Sequence, residues 1–212
     1  MQGFFVTGTG TEVGKTVVAA SIARSLAAEG KRVAVFKPAV TGLDDYADEG
    51  SGGAARPDHA VLRDAAGSTQ SDEEIAPYRY GPPMSPHLAA ELAGEGIDPA
   101  RLAAAAREAA AEADALVCEG VGGLLVPLTA DYLVRDLAVE LGLPLVVAAS
   151  PGLGTINHTL LTLEAARAAG LAVDSVVLTP WPDEPSRVEQ SNRETIAALG
   201  RVRVETLPRL DL

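Results

Sequence analysis

The sequence predicts an α/β fold: a single doubly wound domain, mostly parallel sheet, with helices on both faces. Three observations predict it. Short apolar runs alternate with helical patterns along the whole of the 212 residues. Those runs are apolar throughout, the pattern of strands covered on both sides. A glycine-rich loop, GTGTEVGKT at residues 8–16, separates the first run from the first helical pattern. The length suits one sizeable core, so residues 1–212 are expected to form one domain.

The elements follow in order. GFFVT (3–7) reads as a buried strand and KTVVAASIARSLAAEG (15–30) as an amphipathic helix. RVAVFK (32–37) is a second strand. The acidic, glycine-rich LDDYADEGSGGAARPD (43–58) reads as a mobile surface loop. DPARLAAAAREAAAEAD (98–114) opens a helix with Asp98 as cap and Pro99 in the first turn. ALVCEG (115–120) and LPLVVAAS (143–150) are strands, with the helical DYLVRDLAVELG between them. A helix through INHTLLTLEAARAAG, the strand DSVVLT, a helix through VEQSNRETIAALG and the strand RVRVETL complete the chain.

Composition narrows the function. An apolar fraction of 47% with 4% aromatic residues suits a globular α/β protein and not a disordered one. No apolar run approaches the ~20 residues of a membrane span, and MQGFFVTGTG lacks the basic start of a secretion signal. The one cysteine, Cys118, excludes an internal disulfide framework and fits a reducing compartment; in ALVCEG it reads as a small buried residue. His59, His87 and His158 lack metal-ligand spacing. The formal charge of −12 argues against nucleic-acid or acidic-membrane partners, and a cytoplasmic protein is expected. Any bound anion must therefore be held locally. Only Lys15, Lys31 and Lys37 are lysines among 17 basic residues, and a lysine chosen over arginine marks a compact point charge. Lys31, in EGKRV, reads as a solvated turn residue.

The chemistry is expected at the carboxyl ends of the strands. Gly14, Lys15 and Thr16 stand where a strand turns into a helix, the context of a phosphate loop. There Lys15 would reach the outer phosphates and Thr16 would ligate Mg²⁺. The standard loop, G-x-x-x-x-G-K-[ST], would put a glycine at position 9, yet Thr9 stands there between Gly8 and Gly10. KPAVTG (37–42) either aims Lys37 and Thr41 into the strand-end crevice or merely ends a strand at Pro38. EGVGG (119–123) offers a carboxylate, Glu119, followed by glycines that let a metal–nucleotide complex approach; otherwise it is a charged strand end. Asp58, in RPDHAVL, is either a helix cap or an acidic neighbour of a metal. GLGTINHT (152–159) either binds a second anion at a helix N-terminus or is an ordinary loop.

Taken together, the residues resemble the dethiobiotin synthetase family. VTGTGTEVGKT, KPAVTG, PDHAVL, PPMSPHLAA, EGVGGLLVPL, GLGTINHTLLT and SNRETIAAL occur in that family's order and cover most of the chain. The resemblance implies a phosphate-loop NTPase fold in which residues 1–212 bind both nucleotide and substrate. Its longer loop, with a glycine six residues before the second, accounts for Gly8. It implies an ATP- and Mg²⁺-dependent cyclo-ligase of biotin biosynthesis, cytoplasmic and homodimeric, with the substrate site at the dimer interface and PPMSPH near it. The expected partners are diaminopelargonate, CO₂ or bicarbonate, and a nucleoside triphosphate. One substrate amine, carried as a carbamate, would attack the γ-phosphoryl group; the neighbouring amine would close the carbamic-phosphoric anhydride and release phosphate.

The resemblance also implies residue roles. Lys37 would hold the carbamate, with Lys15 and Thr11 beside it as catalytic residues. Thr16, Asp58 and Glu119 would be the metal positions. Thr11, Lys37, Thr41, Gly154, Thr155 and Asn157 would line the substrate. Glu12, Val13, Gly14, Lys15, Thr16 and Val17, with Asp58 and Glu119, Gly120, Val121 and Gly122, would surround the nucleotide. Thr179 and Pro180 stand where the family often carries a base-reading asparagine, and Pro208, Arg209 and Leu210 align with its second contact to the base. Neither Thr179 nor Pro180 can make the paired amide contact of an asparagine, so the base preference stays open. The chain ends soon after that segment.

Two competing readings are a partition-type switch ATPase and another small phosphate-loop ligase. The first carries an extra lysine near the start of its loop, and residues 8–13 contain none. A ligase amidating a larger acid needs a glutamine-handling domain with a nucleophilic cysteine, for which this chain has no room. A simple kinase is a further formal alternative.

Overall fold

A computed structural model describes residues 2–46 and 56–210. Six parallel strands form the main sheet in the order β2-β5-β1-β6-β7-β8. They are β1 (Gln2–Gly8), β2 (Val33–Phe36), β5 (Ala115–Gly123), β6 (Leu145–Ala149), β7 (Val173–Trp181) and β8 (Arg203–Pro208). A small parallel pair, β3 (Ala39–Val40) and β4 (Tyr78–Arg79), lies apart from it. The helices are α1 (Lys15–Ala28), α2 (Asp58–Ala66), α3 (Asp72–Ile75), α4 (Pro86–Leu92), α5 (Pro99–Ala110), α6 (Val134–Leu141), α7 (Thr155–Ala168) and α8 (Arg187–Gly200).

Each predicted strand and helix forms, with shifted ends. The small pair, α2, α3 and α4 are additions, because two-residue strands and short helices carry too little periodicity to read. The loop expected over 43–58 begins as a 3₁₀ turn at Leu43–Tyr46 and ends as Asp58 enters α2; residues 47–55 lie outside the described residues.

Strand alternation divides the interior into two cores. On one face Val6, Val33, Val35, Ala115, Val117 and Val146 pack beneath α1 and α2. On the other, Phe5, Phe36, Leu116, Cys118, Leu145 and Leu178 pack beneath α5, α6, α7 and α8. Cys118 is fully buried, as its neighbours in sequence suggested. The sheet thus buries side chains on both faces, each stabilising the fold by about 25 cal/mol per Å² of apolar surface. The outer edge of β2 is paired by the Gln70 carboxamide: Val35 N donates to its Oε1 (2.9 Å), and its Nε2 donates to the Val35 carbonyl (3.1 Å). The edge thus has a side chain where a strand would otherwise add.

Candidate nucleotide and substrate site

The alternation that builds the cores also aims the site. In β5, Ala115 and Val117 face α1 and α2, so Glu119, two residues further, points the same way. In β2, Val33 and Val35 face that side, and Lys37 follows in the same phase just past the strand end. The register pairs Val35 with Val117, which brings Lys37 beside Glu119. Lys37 N donates to the Ile75 carbonyl at 2.8 Å and so anchors the backbone there.

Four side chains from four segments therefore meet. Lys37 Nζ lies 2.5 Å from Asp58 Oδ2 and 2.7 Å from Glu119 Oε1. Thr16 Oγ1 is 2.8 Å from Asp58 Oδ1 and 3.0 Å from Glu119 Oε1. A hydroxyl has one proton and can donate to only one of the two carboxylates at a time. Lys37 is 3% exposed, which removes the reading of a solvated strand end. Asp58 is the first residue of α2, after Pro57 at the cap position, and its carboxylate turns to Thr16 and Lys37. The helix-cap reading of Asp58 is thereby corrected: its oxygens are engaged across the crevice.

The charges are strongly coupled. Burial alone would depress the Lys37 ammonium, but Glu119 and Asp58 outweigh it and hold its pKa above the ordinary lysine value. Burial pushes the Glu119 carboxyl up, with Lys37 opposing. Burial also acts to raise Asp58, yet Lys37 and Thr16 bring it below the usual carboxylate value. Lys15, 8% exposed, is lowered chiefly by burial.

The phosphate loop wraps between β1 and α1. Lys15 Nζ donates to the Gly10 carbonyl at 2.8 Å. A Cβ on Gly8 would lie 2.7 Å from Val13 Cγ2 and 2.9 Å from Lys15 Cγ, so the loop closes back over that residue. This is a physical reason for a glycine at position 8, with Thr9 tolerated after it. Gly14, at φ 85°, has Thr179 Cγ2 only 2.5 Å from where a Cβ would stand. Buried Thr179 of β7 is thus packed directly on the loop. Glu12, at φ 58°, and half-buried Val13 lie on the loop's outer turn, and half-buried Val17 lies in the first turn of α1. Thr11 is exposed, with Oγ1 3.9 Å from the position of a Cβ on Gly122. The loop and the EGVGG segment (buried Gly120, half-buried Val121 and Gly122) therefore come together.

The remaining predicted residues lie at the same end of the sheet. Half-buried Thr41 follows β3. Gly154 caps α7, with Thr155 buried and Asn157 exposed in its first turn. Exposed Pro180 follows Thr179 through a cis peptide bond. Pro208 ends β8 opposite Trp181, followed by exposed Arg209 and half-buried Leu210. A groove of about 220 Å³ runs between Gly8 and Thr9 of the loop, the end of β5, and His158, Leu161 and Ala165 of α7. Leu125 and Leu161 line it and are exposed, and Leu153, in the turn before α7, is 97% exposed. Sequence reasoning gave no role to Asn192, a buried carboxamide on α8. Its signal was position: it precedes buried Ile196 by one helical turn, on the core-facing stripe.

Among the described residues no cluster of three or more His, Cys, Asp and Glu side chains could hold a metal. What converges is two carboxylates and a hydroxyl, all hard oxygen donors, and Glu119 Oε2 is buried without a hydrogen-bond partner. That donor set suits Mg²⁺, which takes one or two carboxylates and completes its shell elsewhere.

A parallel sheet flanked by helices, with a glycine loop and GKT between its first strand and helix, defines a protein of the phosphate-loop NTPase type. Comparisons agree. A family model described as an AAA domain matches residues 2–210. The ATP-dependent dethiobiotin synthetase BioD of Anaeromyxobacter dehalogenans strain 2CP-1 is 47% identical over 88% of this chain and 81% of its own length. Its namesakes are 35% identical in Bacillus subtilis strain 168, over 94% and 83% of the two chains, and 42% in Bacillus cereus strain G9842, over 96% and 81%. The chain belongs to the ATP-dependent dethiobiotin synthetase family. Among solved structures, the MinC:MinD cell division complex of Aquifex aeolicus gives a TM-score of 0.60 at 14% identity, over 99% and 82% of the chains. Signal recognition particle 54 kDa protein from Aeropyrum pernix K1, in complex with GDP, gives 0.55 at 15%, over 98% and 42%. These two share the fold alone.

Proposed function

We propose that this protein is an ATP-dependent ligase that joins CO₂ to diaminopelargonate and closes the product to dethiobiotin. The observation that carries this reading is the position of Lys37: a buried cation at a strand end, beside two carboxylates and the phosphate loop. A carbamate and a triphosphate are both anions, and a preorganised cation in a water-poor crevice is what lets them approach.

In this reading Lys15 and the loop from Glu12 to Val17 hold the phosphates, and Lys37 orients the carbamate with Thr11 and Thr41 along the substrate. The carbamate oxygen attacks the γ-phosphorus and ADP leaves. The second amine then attacks the carbamoyl carbon, the urea ring closes, and phosphate departs with the attacking oxygen. Thr16, Asp58 and Glu119 would hold Mg²⁺, which supplies charge neutralisation to the triphosphate when bound. Gly154, Thr155 and Asn157 would take the substrate carboxylate at the N-terminus of α7. Thr179 and Pro180, with Pro208, Arg209 and Leu210, would border the base. Support for a homodimer, with the substrate between subunits, comes from Leu125 and Leu161 exposed along the groove. We assign the whole chain to one nucleotide- and substrate-binding domain in the cytoplasm.

The test is product formation. Protein, diaminopelargonate, bicarbonate, Mg²⁺ and ATP should yield dethiobiotin by mass spectrometry, with CTP and GTP in parallel to rank the bases. Folded protein that yields none with any nucleotide would contradict the reading and favour a switch ATPase.

A further inference from the structure

Asn192 lies on α8, is given no role above, and is 6% exposed. Its Nδ2 donates to two backbone carbonyls at once, Pro151 at 2.9 Å and Gly152 at 3.0 Å. These carbonyls belong to the turn that leaves β6 and enters α7 at Gly154, whose φ of 94° fixes where the first α7 amides point. Pro151 is buried, whereas Leu153 and Gly154 are exposed, so the turn has one held end and one free end. The held end is where Asn192 grips.

A carboxamide has two donor hydrogens, and here each finds a carbonyl. Two bonds from one rigid planar group fix orientation as well as distance, which a single hydroxyl could not do. An isolated buried Asn in a helix is costly unless its hydrogen bonds are made, so the residue is on the core-facing stripe for a reason. We propose that Asn192 is a positioning residue for the substrate: it sets the 151–154 turn, in which the Thr155 amide also donates to the Gly152 carbonyl at 3.3 Å, so that the amide of Gly154 and the open N-terminus of α7 meet the substrate's carboxylate. This rests on the function proposed above, and it holds whether the turn completes its own protomer's site or its partner's.

The experiment compares wild type with Asn192→Asp and Asn192→Leu, both checked for folding by circular dichroism. KM for diaminopelargonate should rise on the order of tenfold in each, the scale of a lost hydrogen bond, with KM for ATP unchanged. Asn192→Asp carries a signature a packing defect lacks. Its buried carboxyl regains a donor when protonated, so its KM relative to wild type should recover as pH falls from about 8 to about 6, while Asn192→Leu stays flat. Unchanged KM for diaminopelargonate, or equal rises for both substrates, would overturn the assignment. Should neither variant fold, the wild-type Asn192 side-chain amide resonances decide: they should shift with diaminopelargonate and not with ATP, and the absence of a shift would overturn it. Wild type that makes no dethiobiotin would instead defeat the underlying reading, a separate and recognisable outcome.

Discussion

In the proposed reaction Lys37 is the residue on which the chemistry turns, its charge buried and divided between two carboxylates. Replacing it with glutamine keeps much of its volume and removes the cation. Lys37→Gln should retain nucleotide binding, measured by calorimetry, while turnover falls roughly 10²–10³-fold, the usual loss when one preorganised electrostatic group is removed. Near-normal turnover would take Lys37 out of the mechanism. Gly14 permits a second residue-scale prediction. Gly14→Ala places a methyl group 2.5 Å from Thr179 Cγ2 at a φ of 85°, and the backbone alone costs roughly 1–2 kcal/mol. Thermal unfolding should show that loss, and adding Thr179→Ser, which removes the contacting methyl, should restore part of it. No recovery would mean that the backbone conformation alone opposes the substitution.

Elements explain which of these features could be read from sequence. The order of strands and helices was legible because uniformly apolar runs and long helical patterns each bury a face. Lys15 and Thr16 were legible through GKT after a strand. Asp58 was ambiguous, since its bond to Thr16 spans 42 residues and a helix-start aspartate looks the same either way. Asn192 was illegible in role because its partners are backbone carbonyls 40 and 41 positions away, which no side-chain pattern records. The small β3–β4 pair was invisible for the same kind of reason: two residues carry no period. Local signals were more dependable, as at α8, where Ser186 and Glu189 form a reciprocal capping box. Ser186→Ala should cost about 1 kcal/mol of stability in urea unfolding. A change near zero would mean that packing against α7 and the sheet, and not the cap, fixes where α8 begins.

For the molecule as a whole, the acidic charge and the exposed leucines pull in different directions. A net charge of −12 keeps separate copies apart, whereas Leu125 and Leu161 leave apolar surface along the groove. If that face joins two subunits, Leu161→Asp should shift sedimentation from dimer toward monomer and raise KM for diaminopelargonate together with it. An unchanged dimer would place the interface elsewhere. The central claim is that a carbamate oxygen, and not water, attacks the γ-phosphoryl group. Turnover begun with oxygen-18-labelled CO₂, quenched before exchange with solvent, follows that oxygen. One labelled oxygen should appear in the released phosphate and another in the urea carbonyl of dethiobiotin. Phosphate carrying only solvent oxygen would contradict the account and leave a nucleotide hydrolase in its place.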